Sequence, residues 1–337
     1  MGTYKAFDQD MRFEGMKFEV GGTYEEKAEY YCDAKLCYYE SAADLLLGSG
    51  YINFNNNYEA VFHRVTPLEG IDDKSGENAM YRHMTADKLS VGERVARKEL
   101  AKEAVEEVKE IARKAKHVFK AEFAEIDNNE FNSVVWLDGD APVYTNNASE
   151  NKVVCTKDRM VYSGSGTFPL VISEGSAPVI SSSGNSGTYI TLAPDADISV
   201  SGGFDKVMNF GNGAKISTVG GGDEIVNESN DTRITCSGGH SRIASVGEHN
   251  TILSVGEENF VACSGANDVI VNISRNGAAK GGMGSFITLA EYKRTDDGEY
   301  FPSLVLTKKV DGVEIMPDTW YALDEGIFKM VAAHVEL

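Results

Sequence analysis

Apolar residues recur at every ninth position between Val135 and Ile270. Each step of nine residues meets a valine, an isoleucine or a tyrosine, and no step meets a polar residue. The sixteen positions are Val135, Tyr144, Val153, Tyr162, Val171, Ile180, Tyr189, Ile198, Val207, Ile216, Ile225, Ile234, Ile243, Ile252, Val261 and Ile270. Such a fixed period predicts stacked repeats, because one nine-residue unit cannot bury its own apolar face.

The residues around each apolar position favour a short strand between two turns. β-branched residues flank it, and a glycine usually follows four residues later, where we expect it to permit a bend. A strand, a turn, a return strand and a second turn make about eighteen residues. The sequence therefore predicts a mostly β protein built on a two-faced parallel β-solenoid of about eight coils. A three-sided helix of hexapeptides also has about eighteen residues per coil, but the nine-residue period favours two sides.

A nine-residue roll raises the question of calcium. Calcium-binding rolls repeat an aspartate two residues before the apolar one. Here that position holds Asp205, Asp223 and Asp268, but Thr232 and Asn250 in other repeats. A hard cation needs six or more oxygen ligands, so we predict a solenoid without metal or cofactor.

Residues 1–84 lack the nine-residue period and form a predicted small α/β domain. We expect strands at 4–7, 17–20 and 60–65, the last ending before Pro67, and a helix at 41–47. Residues 53–58, rich in asparagine, are predicted to be a loop.

A long amphipathic helix is predicted within the connector of residues 85–126. Ser90 and Glu93 have the spacing of a capping box, and apolar residues then recur every three or four positions up to Phe123. The polar face mixes both charges, which favours a connector that lies on a neighbouring domain, caps the first coil or pairs with its copy. The alternative, a basic strip for nucleic-acid phosphates, is weakened by the interleaved glutamates.

The solenoid is expected to span residues 127–279, because the period ends at residues 276–282, which read as a flexible joint. Residues 280–337 form a predicted C-terminal β cap or oligomerisation unit. Trp320 and Tyr321 are expected to pack on the last coil or on a partner copy, and are the candidate oligomer contacts.

The chain is strongly acidic, with 52 acidic and 32 basic residues and a net charge of −20. Duplex nucleic acid and anionic membranes repel such a surface. No segment has the length and apolarity of a membrane span or a signal peptide. Five cysteines, an odd number without paired spacing, favour reduced thiols and a cytoplasmic location.

Several segments resemble a known family. These are Lys-Ala-Phe-Asp at 5–8, Tyr-Glu at 24–25, Leu-Cys-Tyr-Tyr-Glu at 36–40, Asp-Leu-Leu at 44–46, Phe-Ile-Thr-Leu-Ala-Glu-Tyr at 286–292 and Asp-Thr-Trp-Tyr at 318–321. They are similar to a phage- and prophage-associated family with an N-terminal domain of unknown function, a short-period repeat and such a tail. Cys37 stands where that family has histidine, and Tyr39 where it has cysteine. The resemblance implies a mobile-element origin and no particular activity.

Motifs for catalysis are weak throughout the chain. Cys32 and Cys37 are too far apart in sequence for a redox pair and are interpreted as core, while His63 has no nucleophile motif beside it. The order of strands and helix in residues 1–84 is loosely similar to ADP-ribosyltransferase-like folds, so an enzyme stays open as an alternative.

We therefore predict a non-catalytic protein that acts by protein–protein binding and inhibits a basic host protein involved in defence or nucleic-acid handling. The acidic surface would offer carboxylates where DNA phosphates bind. The candidate partner-binding residues are Asp138, Asp140, Glu150 and Asp158. A structural or adhesive virion component is the other alternative, and homo-oligomers are expected.

Overall fold

The computed structural model describes residues 2–26, 36–48, 52–53, 58–73 and 82–332. It confirms a mostly β protein in which a small N-terminal α/β unit lies on one face of a two-sheet parallel β-solenoid.

The N-terminal unit is built on a seven-stranded sheet of order β4-β11-β8-β1-β5-β10-β9. Two further two-stranded sheets, β2-β3 and β6-β7, complete the unit. The eleven strands are β1 Tyr4–Phe7, β2 Arg12–Phe13, β3 Met16–Lys17, β4 Thr23–Glu25, β5 Cys37–Tyr39, β6 Ile52–Asn53, β7 Tyr58–Glu59, β8 Val61–Glu69, β9 Asp72–Asp73, β10 His83–Thr85 and β11 Lys88–Val95. The predicted strand at 4–7 and the short helix, α1 Ala42–Gly48, are confirmed.

Three local predictions in this unit are wrong. The strand expected at 17–20 is the short β3, which pairs with β2 and ends at Lys17. Strand β8 runs through Pro67, because β11 still pairs with it there. Asn53 and Tyr58 are paired strand residues rather than loop, and residues 54–57 lie outside the described part.

The helix predicted from Ser90 is also wrong at its start. Ser90 lies in β11 and pairs with Thr66, while Leu89 and Val91 alternate into the core. Alternation with period two therefore overrides the local capping-box signal. Helix α2 spans Arg97–Ala115.

Helix α2 ends well before Phe123. Lys116 adopts a left-handed conformation, with φ of 62°, and its N–H bonds the carbonyls of Ala112 and Arg113. The buried stripe consists of Leu100, Ala101, Ala104, Val105, Glu107, Val108 and Ala112. Instead of closing the end of the rod, the helix lies on the side of the first coils, where Lys109 and Arg113 each stand 5.1 Å from the Trp136 ring.

The solenoid consists of two sheets whose strands alternate along the chain. The first, which we call the covered sheet, contains β12 Val118–Phe119, β14 Val134–Leu137, β16 Lys152–Cys155, β18 Leu170–Ser173, β20 Thr188–Thr191, β22 Lys206–Asn209, β24 Glu224–Asn227, β26 Arg242–Ser245, β28 Phe260–Cys263, β30 Ala278–Lys280, β33 Tyr321–Asp324 and β34 Ile327–Met330. The second, which we call the open sheet, contains β13 Glu125–Asn128, β15 Val143–Asn146, β17 Val161–Gly164, β19 Val179–Ser182, β21 Asp197–Val200, β23 Lys215–Thr218, β25 Arg233–Cys236, β27 Thr251–Glu257, β29 Val269–Arg275, β31 Phe286–Arg294 and β32 Tyr300–Lys309. Successive strands pair in parallel up to β30 in the covered sheet and β31 in the open sheet, mostly at an offset of eighteen residues. Strands β33 and β34 then extend the covered sheet, and β32 the open sheet, by antiparallel pairing.

The coils extend beyond both predicted limits. Strands β12 and β13 already belong to the two sheets, ahead of residue 127. At the other end, the segment expected to be a flexible joint contains β30, which pairs with β28, and Ala279 is fully buried. Strand β31 follows β29 in parallel, so ten parallel strands rather than about eight line each side.

The interior confirms the nine-residue pattern, since its apolar residues form one buried cluster. The recurring glycines have a reason that differs from the predicted bend. A Cβ at Gly202 would lie 1.8 Å from the carbonyl oxygen of Gly184, one coil earlier. The left-handed residue comes two positions later, at Phe204, so glycine is needed for close approach of the coils.

The N-terminal unit covers the outward side of the covered sheet. Leu45 and Leu46 of α1 and the apolar stripe of α2 share one buried cluster with the outward residues of the sheet. Asp44 and Lys152 form an ion pair of 2.9 Å across this contact, and so do Arg97 and Glu228.

Candidate functional site

Acidic side chains follow one long edge of the solenoid. We call acidic edge the turns that lead from the covered to the open sheet, at 138–142, 156–160, 174–178, 192–196, 210–214, 228–232 and 246–250. These turns hold eight acidic and two basic residues. The acidic ones are Asp138, Asp140, Asp158, Glu174, Asp195, Glu228, Asp231 and Glu248.

The opposite edge has a different composition. We call glycine edge six consecutive turns that lead back to the covered sheet, at 147–151, 165–169, 183–187, 201–205, 219–223 and 237–241; the flanking turns on this side, at 129–133 and 258–259, hold Glu130 and Glu258. Its acidic residues are Glu150, Asp205 and Asp223, and the two aspartates are fully buried. The exposed part of this edge is mainly glycine and serine.

The structure separates the four predicted partner-binding residues. Asp138, Asp140 and Asp158 lie together on the acidic edge, whereas Glu150 lies across the rod on the glycine edge. Partial burial raises the pKa of Glu150. A partner that contacts one edge alone cannot reach all four carboxylates.

The three clustered carboxylates also hold the turns together. Asp138 accepts a hydrogen bond of 3.0 Å from the Thr156 hydroxyl, and Asp140 pairs with Arg159. Asp158 accepts the Ser176 backbone N–H at 2.7 Å. Their charge is therefore partly engaged within the chain.

Three acidic residues that sequence reasoning missed are better placed for a partner. Asp195, Asp231 and Glu248 are exposed further along the same edge. Asp195 and Asp231 lie exactly two coils apart, so aligning the chain at eighteen residues instead of nine would have grouped them. The other two acidic residues of the edge face helix α2, where Arg97 pairs with Glu228 and Lys109 lies near Glu174.

Trp320 and Tyr321, the candidate oligomer contacts, are covered by this chain itself. Trp320 is 5% exposed and meets Phe260 edge-on, with ring centroids 6.0 Å apart. Tyr321 is 1% exposed and pairs with Ala279 of the last covered coil. Of the two predicted placements, packing on the last coil is the one observed.

The N-terminal unit places its candidate residues in packed surroundings. His63 is buried, its Nδ1 lies 3.1 Å from the Gly92 carbonyl oxygen, and burial lowers its pKa. Cys37 is buried beside Lys5, whose Nζ lies 2.8 Å from the Cys37 carbonyl oxygen and 3.3 Å from its Sγ. Burial lowers the pKa of Lys5, and Phe13 covers it at 3.6 Å. Cys32 lies outside the described residues.

An open groove of about 880 Å³ runs beside α2. Its glutamates hold the fold: Glu103 contacts Tyr4 and Arg64, and Glu107 accepts the N–H groups of Ala42 and Ala43 at the start of α1. Burial raises the pKa of Glu107. These carboxylates are therefore engaged in joining α2 to the N-terminal sheet and to α1.

Neither histidine of the repeat belongs to a metal cluster in the described chain, where no three His, Cys, Asp or Glu side chains converge. His240 and His249 are exposed in turns on opposite edges, and His240 Nδ1 lies 3.1 Å from Glu258.

Within the described residues, no helix combines the length and the apolarity needed to cross a membrane. The chain matches no protein-family model, no curated protein and no solved structure.

Proposed function

We propose that this protein acts without chemistry of its own, by binding a basic protein along its acidic edge. The observation that supports this is the run of exposed carboxylates at Asp195, Asp231 and Glu248 on a rigid stack, opposite an edge that is mainly glycine and serine. Carboxylates fixed one or two coils apart attract a basic cleft and orient it along the rod.

The resemblance to phage-associated proteins suggests which basic protein this is. An intracellular protein of a mobile element gains by inhibiting a host factor that defends against or handles nucleic acid. Such factors bind phosphate backbones through lysine and arginine. We propose that the acidic edge occupies that cleft in place of DNA.

The test compares two variants that change the net charge by the same amount. In the edge variant, Asp195→Asn, Asp231→Asn and Glu248→Gln remove three negative charges. In the control, Ser183→Lys, Ser201→Lys and Ser237→Lys add three positive charges at exposed positions of the glycine edge. Asn suits Asp195 and Asp231 because both have positive φ, 64° and 57°.

Immobilised wild-type protein is first used to capture basic proteins from a bacterial lysate, and each captured protein is then purified and titrated. We expect binding that weakens between about 50 and 500 mM salt, is competed by duplex DNA, and is lost in the edge variant only. Equal binding by both variants, or no competition by DNA, would contradict the proposal.

A separate observation supports self-association. Strand β32 is the terminal strand of the open sheet, and Tyr300, Phe301, Leu304 and Val305 are all exposed on it. Terminal strands pair readily with another chain. We propose that two copies join through antiparallel β32 strands, which would bring the lysines at 308 and 309 of one copy to the aromatic end of the other.

Sedimentation tests this pairing with Val305→Lys, and with Val179→Lys as control on the open sheet away from β32. A dimer that dissociates in the first variant and persists in the second is expected. A wild-type monomer at micromolar concentration would exclude the pairing.

A further inference from the structure

In about half of the repeats, the residue two positions before the inward apolar residue is polar and buried, and these side chains form a ladder from coil to coil. A side-chain oxygen there accepts the backbone N–H of the equivalent residue one coil earlier. Asn151 Oδ1 accepts from Ser133 at 2.7 Å, and Asn250 Oδ1 accepts from Thr232 at 2.8 Å. Aspartates make the same bond, since Asp205 Oδ1 accepts from Gly187 at 2.7 Å. In each of these coils, one oxygen of the ladder side chain therefore accepts a hydrogen bond from the coil before it.

The second polar atom of the ladder side chain must be a hydrogen-bond donor. Each asparagine there gives its Nδ2 hydrogen to a backbone carbonyl of a turn. Asn151 donates to Ala148 at 3.1 Å, Asn250 to Gly247 at 2.8 Å, and Asn259 to Gly238 at 2.7 Å.

In the aspartates of the ladder, Oδ2 lies where the asparagines have Nδ2. Asp205 Oδ2 lies 3.0 Å from the Cβ that Gly202 would have, and Asn259 Nδ2 lies 3.1 Å from that of Gly256, in each case three residues earlier. Yet Oδ2 is buried without a hydrogen-bond partner in Asp205, Asp223 and Asp268. An ionised carboxylate has no donor to offer the carbonyl that its asparagine counterpart satisfies.

We propose that Asp205, Asp223 and Asp268 are proton-binding sites, each held as a neutral carboxylic acid that donates its proton to a turn carbonyl as asparagine does. The proton restores the missing donor and removes the cost of a buried charge. The ligand is the proton itself.

The surroundings of the three carboxyl groups favour the neutral form. Burial, together with the carboxyl group of Asp223 in the next coil, raises the pKa of Asp205 to about 7 despite the Gly187 N–H. The phenol of Tyr189 also faces Asp205. Burial likewise raises the pKa of Asp223, against the hydrogen bond from the Asp205 N–H.

Asp268 has more varied neighbours. Burial raises its pKa to about 6, and Glu248 adds to this effect, while the Asn250 N–H and His249 oppose it. The buried thiol of Cys263 faces it as well. Burial thus favours the neutral acid at both ends of the rod's second half.

The consequence is a rod that acid stabilises. In the unfolded chain an aspartate has a pKa of about 3.9. Because the folded pKa is higher, the stabilisation is complete below about pH 4 and is lost as the pH rises through about 6 to 7. Between those limits the folding equilibrium constant falls about tenfold per pH unit for each such aspartate.

Reciprocal exchange at this ladder position tests the proposal. The triple variant Asp205→Asn, Asp223→Asn and Asp268→Asn should unfold at a higher urea concentration than the wild type at pH 8, and the difference should shrink towards pH 4. The double variant Asn250→Asp and Asn259→Asp should show the opposite, with a loss at pH 8 that acid recovers. Other carboxylates are common to all three proteins, so their titration cancels in the comparison.

Two results would overturn the proposal. One is a triple variant that is less stable than the wild type at pH 8 although it folds. The other is a pH dependence of the urea midpoint that neither set of substitutions changes. Infrared spectra give a second reading, since the carbonyl band of a protonated carboxylic acid should be present in the wild type at pH 6 and absent from the triple variant.

Discussion

The two sheets of the solenoid share one interior but differ on their outward sides. The residue after each inward apolar residue is apolar in the covered sheet and small and hydroxylated through most of the open sheet. The covered row includes Val154, Ile172, Ile190, Met208 and Val226, all fully buried. The open row includes Thr145, Ser163, Ser181, Ser199, Ser217 and Thr235. The nine-residue period thus builds the interior, and an eighteen-residue period decides which face receives the N-terminal unit.

The largest loss of stability is expected for substitutions in the interior, to which both sheets contribute alike. Ile234 in the open sheet and Ile243 in the covered sheet are both buried inside the stack, at 1% and 0% exposure. Ile→Ala at either should lower the free energy of unfolding by about 2–5 kcal/mol, because each leaves a cavity between coils. Urea titration measures both, and a clear difference between them would mean that the interior is not shared equally.

Substitutions on the outward sides should cost less stability, and the cost should differ between the two sheets. Val226 is fully buried under the N-terminal unit, whereas Val179 is 44% exposed on the open sheet. Val226→Ala should cost about 1.5–3 kcal/mol, the worth of a buried valine side chain. Val179→Ala should stay within about 0.5 kcal/mol. Similar losses at both positions would indicate that the open sheet is also covered, for example by a second copy.

Sequence reasoning reached the interior because that pattern repeats sixteen times without a polar residue. It failed at residues 88–95, where Ser90 and Glu93 imitate a helix start although Leu89 and Val91 alternate. It also missed the first and last coils, because β12 and β30 pair like the other strands but match the apolar pattern less well. Glu150 was grouped with Asp138 because they are close in sequence, but in a solenoid half a coil separates opposite edges.

The ion pair of Lys152 with Asp44, which joins the covered sheet to the N-terminal unit, offers a sharper comparison of the two sheets. Lys152 and Lys215 precede an inward apolar residue in the covered and the open sheet, respectively. The side chain of Lys152 is 14% exposed and pairs with Asp44, itself 10% exposed. Lys152→Met should cost about 1–3 kcal/mol, because Asp44 then lacks its partner at the contact. Lys215→Met, on the exposed sheet, is the matched control and should be nearly neutral in the same urea titration.

Removal of metal ions should leave the stability of both sheets of the solenoid unchanged. A cation in the turns would stabilise both sheets, because each turn joins one sheet to the other. The carboxyl oxygens that could bind calcium are already placed, since Asp205 and Asp223 accept backbone N–H groups through Oδ1 and both keep Oδ2 buried. Incubation with a chelator should therefore leave the melting temperature unchanged, with millimolar magnesium and calcium as parallel additions. A rise of several degrees with calcium alone would show that the ladder aspartates bind it as carboxylates, and would contradict their role as proton donors.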